Sequence, residues 1–198
     1  MTDKEFLAKI KDDVIYDMHN TGILASLTAA QAFCESGHGD SGLTQKANNL
    51  FGMKGTYKGQ SVTMKTKEYV NGKYVVVDAQ FRKYPSWRDS IEDHSFLFLR
   101  LKRYSNLIHE RDYKEACRKV QQDGYATSPS YALTLINIIE KYKLYEWDTE
   151  DIAVDTELDA ALEVIAHRII SGTFGTGHEH RRDVIYELIR KKVNDILK

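Results

Sequence analysis

Charge imbalance, cysteine and long apolar runs are all scarce in this chain, and each scarcity excludes something. Across 198 residues, 28 Lys and Arg stand against 29 Asp and Glu, for a formal net charge of −1. So balanced a chain has no field with which to attract nucleic acid or an acidic membrane surface. Two cysteines, Cys34 and Cys117, cannot staple a fold together. Both fall inside apolar helical patterns and are read as buried, reduced thiols. No apolar run approaches the roughly 18 residues of a membrane span, so no membrane insertion is expected. The first residues, Met-Thr-Asp-Lys-Glu-Phe-Leu, lack the basic start and apolar core of a signal peptide. No His, Cys and carboxylate cluster has zinc spacing, so neither a metal nor a cofactor is expected.

What is present is enough chain for one well-buried domain and a small appendage. Thr2 or Asp3 can cap a first helix, whose apolar positions Phe6, Leu7, Ile10, Val14, Ile15 and Met18 have helical spacing. It ends near Asn20-Thr21-Gly22. A second helix, with Ser26 or Thr28 as candidate cap, carries Leu27, Ala30, Gln31, Cys34 and Glu35 and stops at Gly37 and Gly39. A short helix follows over 41–47. Over 61–82 the period changes to alternation, and Asn71-Gly72 signals a tight hairpin turn before Tyr74-Val75-Val76-Val77. Helical patterns resume at Ser86, over 112–122, and after Pro129. The expected fold is α+β: a mostly helical domain with one β-hairpin over residues 1–147.

Residues 146–159 carry seven acids and no base. Such a run solvates readily, which makes 148–159 an expected acidic linker. Beyond it, 160–198 holds two amphipathic segments separated by Gly172-Thr-Phe-Gly-Thr-Gly177. That small helical module is near the lower size limit for folding alone, so it is expected to dock or self-associate. The glycine run follows a helical pattern and lacks a Gly-Lys-Ser/Thr ending, which argues against a phosphate loop.

The chemistry-bearing stretch is 31–55. It sets Glu35 at the end of an apolar helix, followed at once by a glycine-rich turn. An apolar flank raises the pKa of a carboxylic acid and an open turn admits a substrate, the two requirements of a general acid. Glu68, on the first hairpin strand, is a second carboxylate on a separate element. Two carboxylates across a cleft are what glycoside hydrolysis uses. The 12 tyrosines suit a sugar-binding cleft, although tyrosine is also an ordinary half-buried residue. Asp93 and His94 are read as making a structural hydrogen bond.

Gln31-Ala-Phe-Cys-Glu-Ser-Gly-His-Gly is similar to the A-Q-A-x-x-E-S-G-W-G signature of the glycoside hydrolase family 73 glucosaminidases. Asn48-Asn-Leu-Phe-Gly-Met-Lys-Gly resembles the family's N-N-L-F-G-I-K-G, and Thr66-Lys-Glu-Tyr its T-x-E-Y strand. Phe81-Arg-Lys-Tyr, Asp93-His94, Arg103-Tyr104 and Gly124-Tyr-Ala-Thr-Ser-Pro-Ser-Tyr-Ala match later blocks in order. The resemblance spans about residues 5–147. It implies a lysozyme-like fold that cuts peptidoglycan glycan strands between N-acetylglucosamine and N-acetylmuramic acid. It makes Glu35 the general acid and Glu68 the second carboxylate, a role that varies within the family; the substrate's own acetamido group is the alternative nucleophile. Tyr125 would steer water or that acetamido group. Asn49 and Phe51 would line sugar subsites, with His38 and Tyr131 as further substrate contacts. His38 stands where the family often has Trp, and Ser128 where Asp is frequent.

The stretch from Val164 to Leu197 resembles the small cell-wall-binding repeats of some phage lysozymes, through Ile169, Ile170, Gly172, Phe174, Gly175, Gly177, Arg181, Val193, Asn194 and Leu197. Phe174 replaces a Trp of that pattern. The likeness implies wall binding through Phe174, Gly175 and Arg181; the alternative is a homo-oligomerising helical hairpin. Together these readings describe an endo-acting N-acetylglucosaminidase of phage-endolysin type, made in the bacterial cytoplasm and released to the wall, for example through a holin. A muramidase or lytic transglycosylase on the same fold, and a non-catalytic wall-binding or virion structural protein, are the alternatives.

Overall fold

The computed structural model describes residues 1–70 and 72–149. The wall-binding candidates Phe174, Gly175 and Arg181, the module at 160–198 and the linker beyond Thr149 lie outside the described residues. The elements run α1 (Asp3–Thr21), α2 (Ala25–Glu35), α3 (Gly42–Ala47), β1 (Ser61–Val70), β2 (Lys73–Arg82), α4 (Trp87–Arg100), α5 (Tyr113–Gln122) and α6 (Tyr131–Tyr142). Two 3-10 segments, Lys102–Leu107 and Leu144–Thr149, complete the α+β order.

Local chemistry explains most boundaries. Thr2 and Glu5 form a reciprocal capping box: Glu5 N–H donates to Thr2 Oγ1 (3.3 Å) and Thr2 N–H donates to Glu5 Oε2 (2.8 Å). Gly22 ends α1 in the left-handed region (φ +73°), where a Cβ would come within 2.6 Å of the His109 ring. Both the backbone and the close approach therefore require glycine there. Ser86 caps α4 by accepting from Asp89 N–H, and Asp112 caps α5 by accepting from the Lys114 and Glu115 N–H groups.

The helix at the centre is α2. Every residue from Ala25 to Phe33 is buried. A helix with no charged residue before Glu35 can be enclosed on all sides, and α1, α4, α5, α6 and the last 3-10 segment pack on this one. Phe6, Ile10, Leu27, Leu50, Ile91, Phe98, Tyr104, Leu135 and Ile139 fill the core around it. Neither Ser26 nor Thr28 caps it, contrary to the local reading. The cap comes from the far end of the domain: Ser26 N–H and Oγ–H both donate to the Asp148 carboxylate, at 2.8 and 2.7 Å. Asp148, expected in the linker, thus belongs to the packed structure. Cys34 also departs from expectation. It lies on the open end of α2 and is exposed, whereas Cys117 is buried.

The strands form one antiparallel pair in the register Ser61↔Arg82 to Val70↔Lys73. The hairpin carries exposed Tyr74 and Val76 on β2 and touches the body mainly at its base. Phe81 is buried there, and Asp93 of α4 accepts from the Tyr84 hydroxyl (2.6 Å) and from the Arg82 guanidinium. The Asp93 bond is structural, as read from sequence, but it secures the end of β2 to α4. Among the described residues no helix is long and apolar enough to cross a membrane.

Candidate active site

Glu35 is the last residue of α2, where the helix meets solvent. The turn after it holds three consecutive residues in the left-handed region, Gly37, His38 and Gly39. At Gly39 (φ +79°) a Cβ would sit 2.8 Å from the Phe6 ring and 3.0 Å from Trp87. The Ser36 hydroxyl accepts from Gly39 N–H (2.8 Å) and the Ser36 carbonyl from Ser41 N–H (2.9 Å). The sharp turn leaves the Glu35 carboxyl one open face.

The other face is built by tyrosines. The Tyr131 hydroxyl donates to Glu35 Oε1 at 2.9 Å, and it accepts from Gln31 Nε2, one helical turn before Glu35, at 3.3 Å. Tyr125 stacks on Tyr131, with centroids 5.8 Å apart and planes 22° apart. The Tyr125 hydroxyl lies 3.0 Å from His94 Nε2. His94, on α4, is 0 % exposed. Its ring lies flat on Phe51, at 3.8 Å between centroids and 11° between planes, with the Phe98 edge against it at 4.7 Å.

Two opposing effects set the acidity of Glu35. Enclosure by protein raises its pKa, and the Tyr131 hydrogen bond pulls it back; the first is the larger. Its place at the negative end of the α2 dipole also disfavours the carboxylate. Burial raises the Tyr125 and Tyr131 phenols, so both keep their protons. Burial pushes His94 down to about 3, which keeps its imidazole neutral.

Glu35, Tyr125 and Tyr131 thus come together from three separate elements. Asn49 and Phe51, expected to line sugar subsites, are both buried. Asn49 is 1 % exposed; its amide donates to the Met53 and Arg82 carbonyls and accepts from Met53 N–H. It shapes the loop that presses Phe51 onto His94. His38 faces α1: its Nδ1 lies 3.0 Å from Asp3 Oδ1 and its ring stacks on Phe33 at 3.9 Å. Glu68 occupies the β1 position opposite Val75, close to the hairpin turn. Sequence reasoning missed His94 as a partner of Tyr125, and Gln31 as the donor behind Tyr131. The signal for Gln31 was available: it stands four residues before Glu35, on the same helical face.

A carboxylic acid with a raised pKa, at the end of the central helix of an α+β domain whose hairpin carries a second carboxylate, defines a lysozyme-like glycoside hydrolase domain. Residues 11–144 match the glucosaminidase family, described as mannosyl-glycoprotein endo-beta-N-acetylglucosaminidase. The chain belongs to that family. It is 45% identical over 140 residues to the exo-glucosaminidase LytG of Bacillus subtilis, covering 68% of this chain and 49% of LytG. It is 34% identical over 146 residues to the peptidoglycan hydrolase FlgJ of Escherichia coli K12, covering 71% of this chain and 47% of FlgJ. Another relative, from Lactococcus lactis, is named a probable N-acetylmuramidase. The chain spans about half the length, or less, of the curated relatives it matches. Among solved structures, the catalytic domain of the Listeria monocytogenes autolysin Auto superposes with a TM-score of 0.70 at 34% identity, covering 74% of this chain and 87% of that domain.

Proposed function

We propose that this protein hydrolyses the glycan strands of bacterial peptidoglycan at the bond from N-acetylglucosamine to N-acetylmuramic acid, with Glu35 as general acid. The observation that carries this is the Glu35 carboxyl itself, enclosed on one side, open on the other and held by Tyr131. A protonated Glu35 gives its hydrogen to the departing glycosidic oxygen as the bond to the anomeric carbon breaks. The resulting oxocarbenium-like charge needs a partner on the opposite face of the sugar. Glu68 on the hairpin supplies it as base or nucleophile, unless the substrate's acetamido oxygen attacks instead. Tyr125, protonated and beside Tyr131, orients the attacking water or acetamido group. The family description supports an internal cut, and the open face of Glu35 suits a strand running past it.

A second reading, a muramidase on the same fold, draws support from the relative named a probable N-acetylmuramidase. The segment at 160–198 fits a wall-anchoring module that raises local enzyme concentration, as in a phage endolysin.

The test is Glu35→Gln on purified cell walls, with reducing ends counted and products identified by mass spectrometry. The variant should fold normally and lose at least about 100-fold in rate, the scale of a general acid's contribution. Near-full activity in that variant removes Glu35 from the mechanism. Reducing-end glucosamine in the wild-type digest supports the proposed bond. Reducing-end muramic acid moves the cut to the muramidase position, and anhydro-muramic ends replace hydrolysis with transglycosylation. Glu68→Gln should slow turnover strongly; an unchanged rate assigns the nucleophile to the acetamido group.

A further inference from the structure

His94 is the most completely enclosed titratable side chain near Glu35. Burial keeps it neutral, so it carries one ring hydrogen. Its two nitrogens differ sharply. Nε2 is 3.0 Å from the Tyr125 hydroxyl, while Nδ1 is buried with no hydrogen-bond partner among the described residues. If the hydrogen were on Nδ1, a buried N–H would be orphaned, at a cost of about 1–3 kcal/mol. Orphaned N–H donors are rarer in folded proteins than under-satisfied acceptors. The network therefore assigns the hydrogen to Nε2, which donates to the Tyr125 oxygen. Having accepted there, the Tyr125 hydroxyl turns its own hydrogen elsewhere. The imidazole is held for this by the flat Phe51 face and the Phe98 edge.

We propose that His94 is a positioning residue for glycan cleavage: its Nε2–H fixes the Tyr125 hydroxyl rotor, so that the phenolic hydrogen points to the Glu35 side of the site. The proposal rests on the reading of Tyr125 as the group that orients the attacking water or acetamido oxygen. It gives Phe51 and the Asn49 loop a purpose as well, since they hold the imidazole plane that aims the donor.

The test uses full-length protein on purified peptidoglycan, with kcat, KM and melting temperature measured for each variant. Tyr125→Phe alone checks the reading beneath the proposal. If it keeps wild-type kcat, Tyr125 is not in the mechanism and the proposal falls with that reading. With Tyr125→Phe impaired, His94→Phe should lower kcat by about 10- to 100-fold, the cost of misplacing one group, with KM within about twofold. His94→Gln, whose amide nitrogen reaches the Nε2 position, should recover most of that loss; His94→Asn, whose amide is one bond shorter, should not. His94→Phe added to Tyr125→Phe should cost nothing further, because His94 acts through that hydroxyl. Three results overturn the proposal: kcat of His94→Phe within about threefold of wild type, equal activity of the Gln and Asn variants, or a double variant whose losses multiply. If His94→Phe does not fold, the Gln and Asn comparison decides alone.

Discussion

Replacing Tyr131 with Phe isolates the hydrogen bond that opposes the raised pKa of Glu35. In the wild type, enclosure lifts the carboxyl above its ordinary value of 4.5 and the Tyr131 hydroxyl partly reverses that lift. A hydrogen bond to a charged group contributes about 1.5–3 kcal/mol when fully enclosed. Glu35 has one face open to solvent, and roughly half of that range survives such screening, about 0.75–1.5 kcal/mol. At about 1.4 kcal/mol per pH unit, the pKa of Glu35 should rise by between half a unit and one unit. Because a general acid works protonated, the alkaline limb of the activity profile should move to higher pH by that amount. The variant should also unfold more easily, by about 1–2 kcal/mol, because Gln31 Nε2 loses its acceptor in a site where Gln31 Oε1 already lacks a donor. The assay is the rate of reducing-end release from cell walls between pH 4 and 9, beside a thermal melt. An alkaline limb that stays in place, or moves to lower pH, refutes this account of how Glu35 is tuned.

Two further substitutions probe the scaffold. Asp17, 1 % exposed on α1 and accepting from the Ser95 hydroxyl, has its pKa raised to about 7 by burial. Above the unfolded value the native state binds the extra proton. Stability should therefore fall as pH rises from about 4 through 7, by at most about 4 kcal/mol. Asp17→Asn should flatten that decline in denaturant titrations at pH 5, 6 and 7; an unchanged slope assigns the decline to other groups. Asp148→Ala should lower stability by about 1–2 kcal/mol, the usual cost of a lost helix cap, with kcat unaltered. A melting temperature equal to wild type would show that the cap contributes nothing.

What could be read from the sequence was local. The Thr2 box, the Ser86 cap, the Gly22 stop and the pairing of β1 with β2 all depend on residues close together in the chain, and each appears where its pattern predicts. Glu35 stood out because an apolar helix and a glycine turn flank it directly. What could not be read was chosen by tertiary packing. The cap of α2 is supplied 122 residues away. Tyr125 and His94 are 31 residues apart on different elements, and no periodicity links them. Cys34 looked interior because its helix is apolar, but it lies in the final turn, where α2 emerges from the bodies packed around it. Nor could the sequence show that Asn49 ties a loop or that Phe51 backs an imidazole.

The Ser26–Asp148 pair makes the end of the domain part of its central helix. Serine and aspartate act as a clasp: the chain leaving the domain passes through the anchor of α2 one residue before Thr149. Tension applied to the chain downstream reaches that clasp first. The clasp lies about 14 Å along the helix from Glu35, nine residues at 1.5 Å each. Such strain would therefore be spent on opening this hydrogen-bonded cap before it could displace the acid. A chain cut after Trp147 would lose the clasp altogether, whereas one cut after Thr149 would keep it.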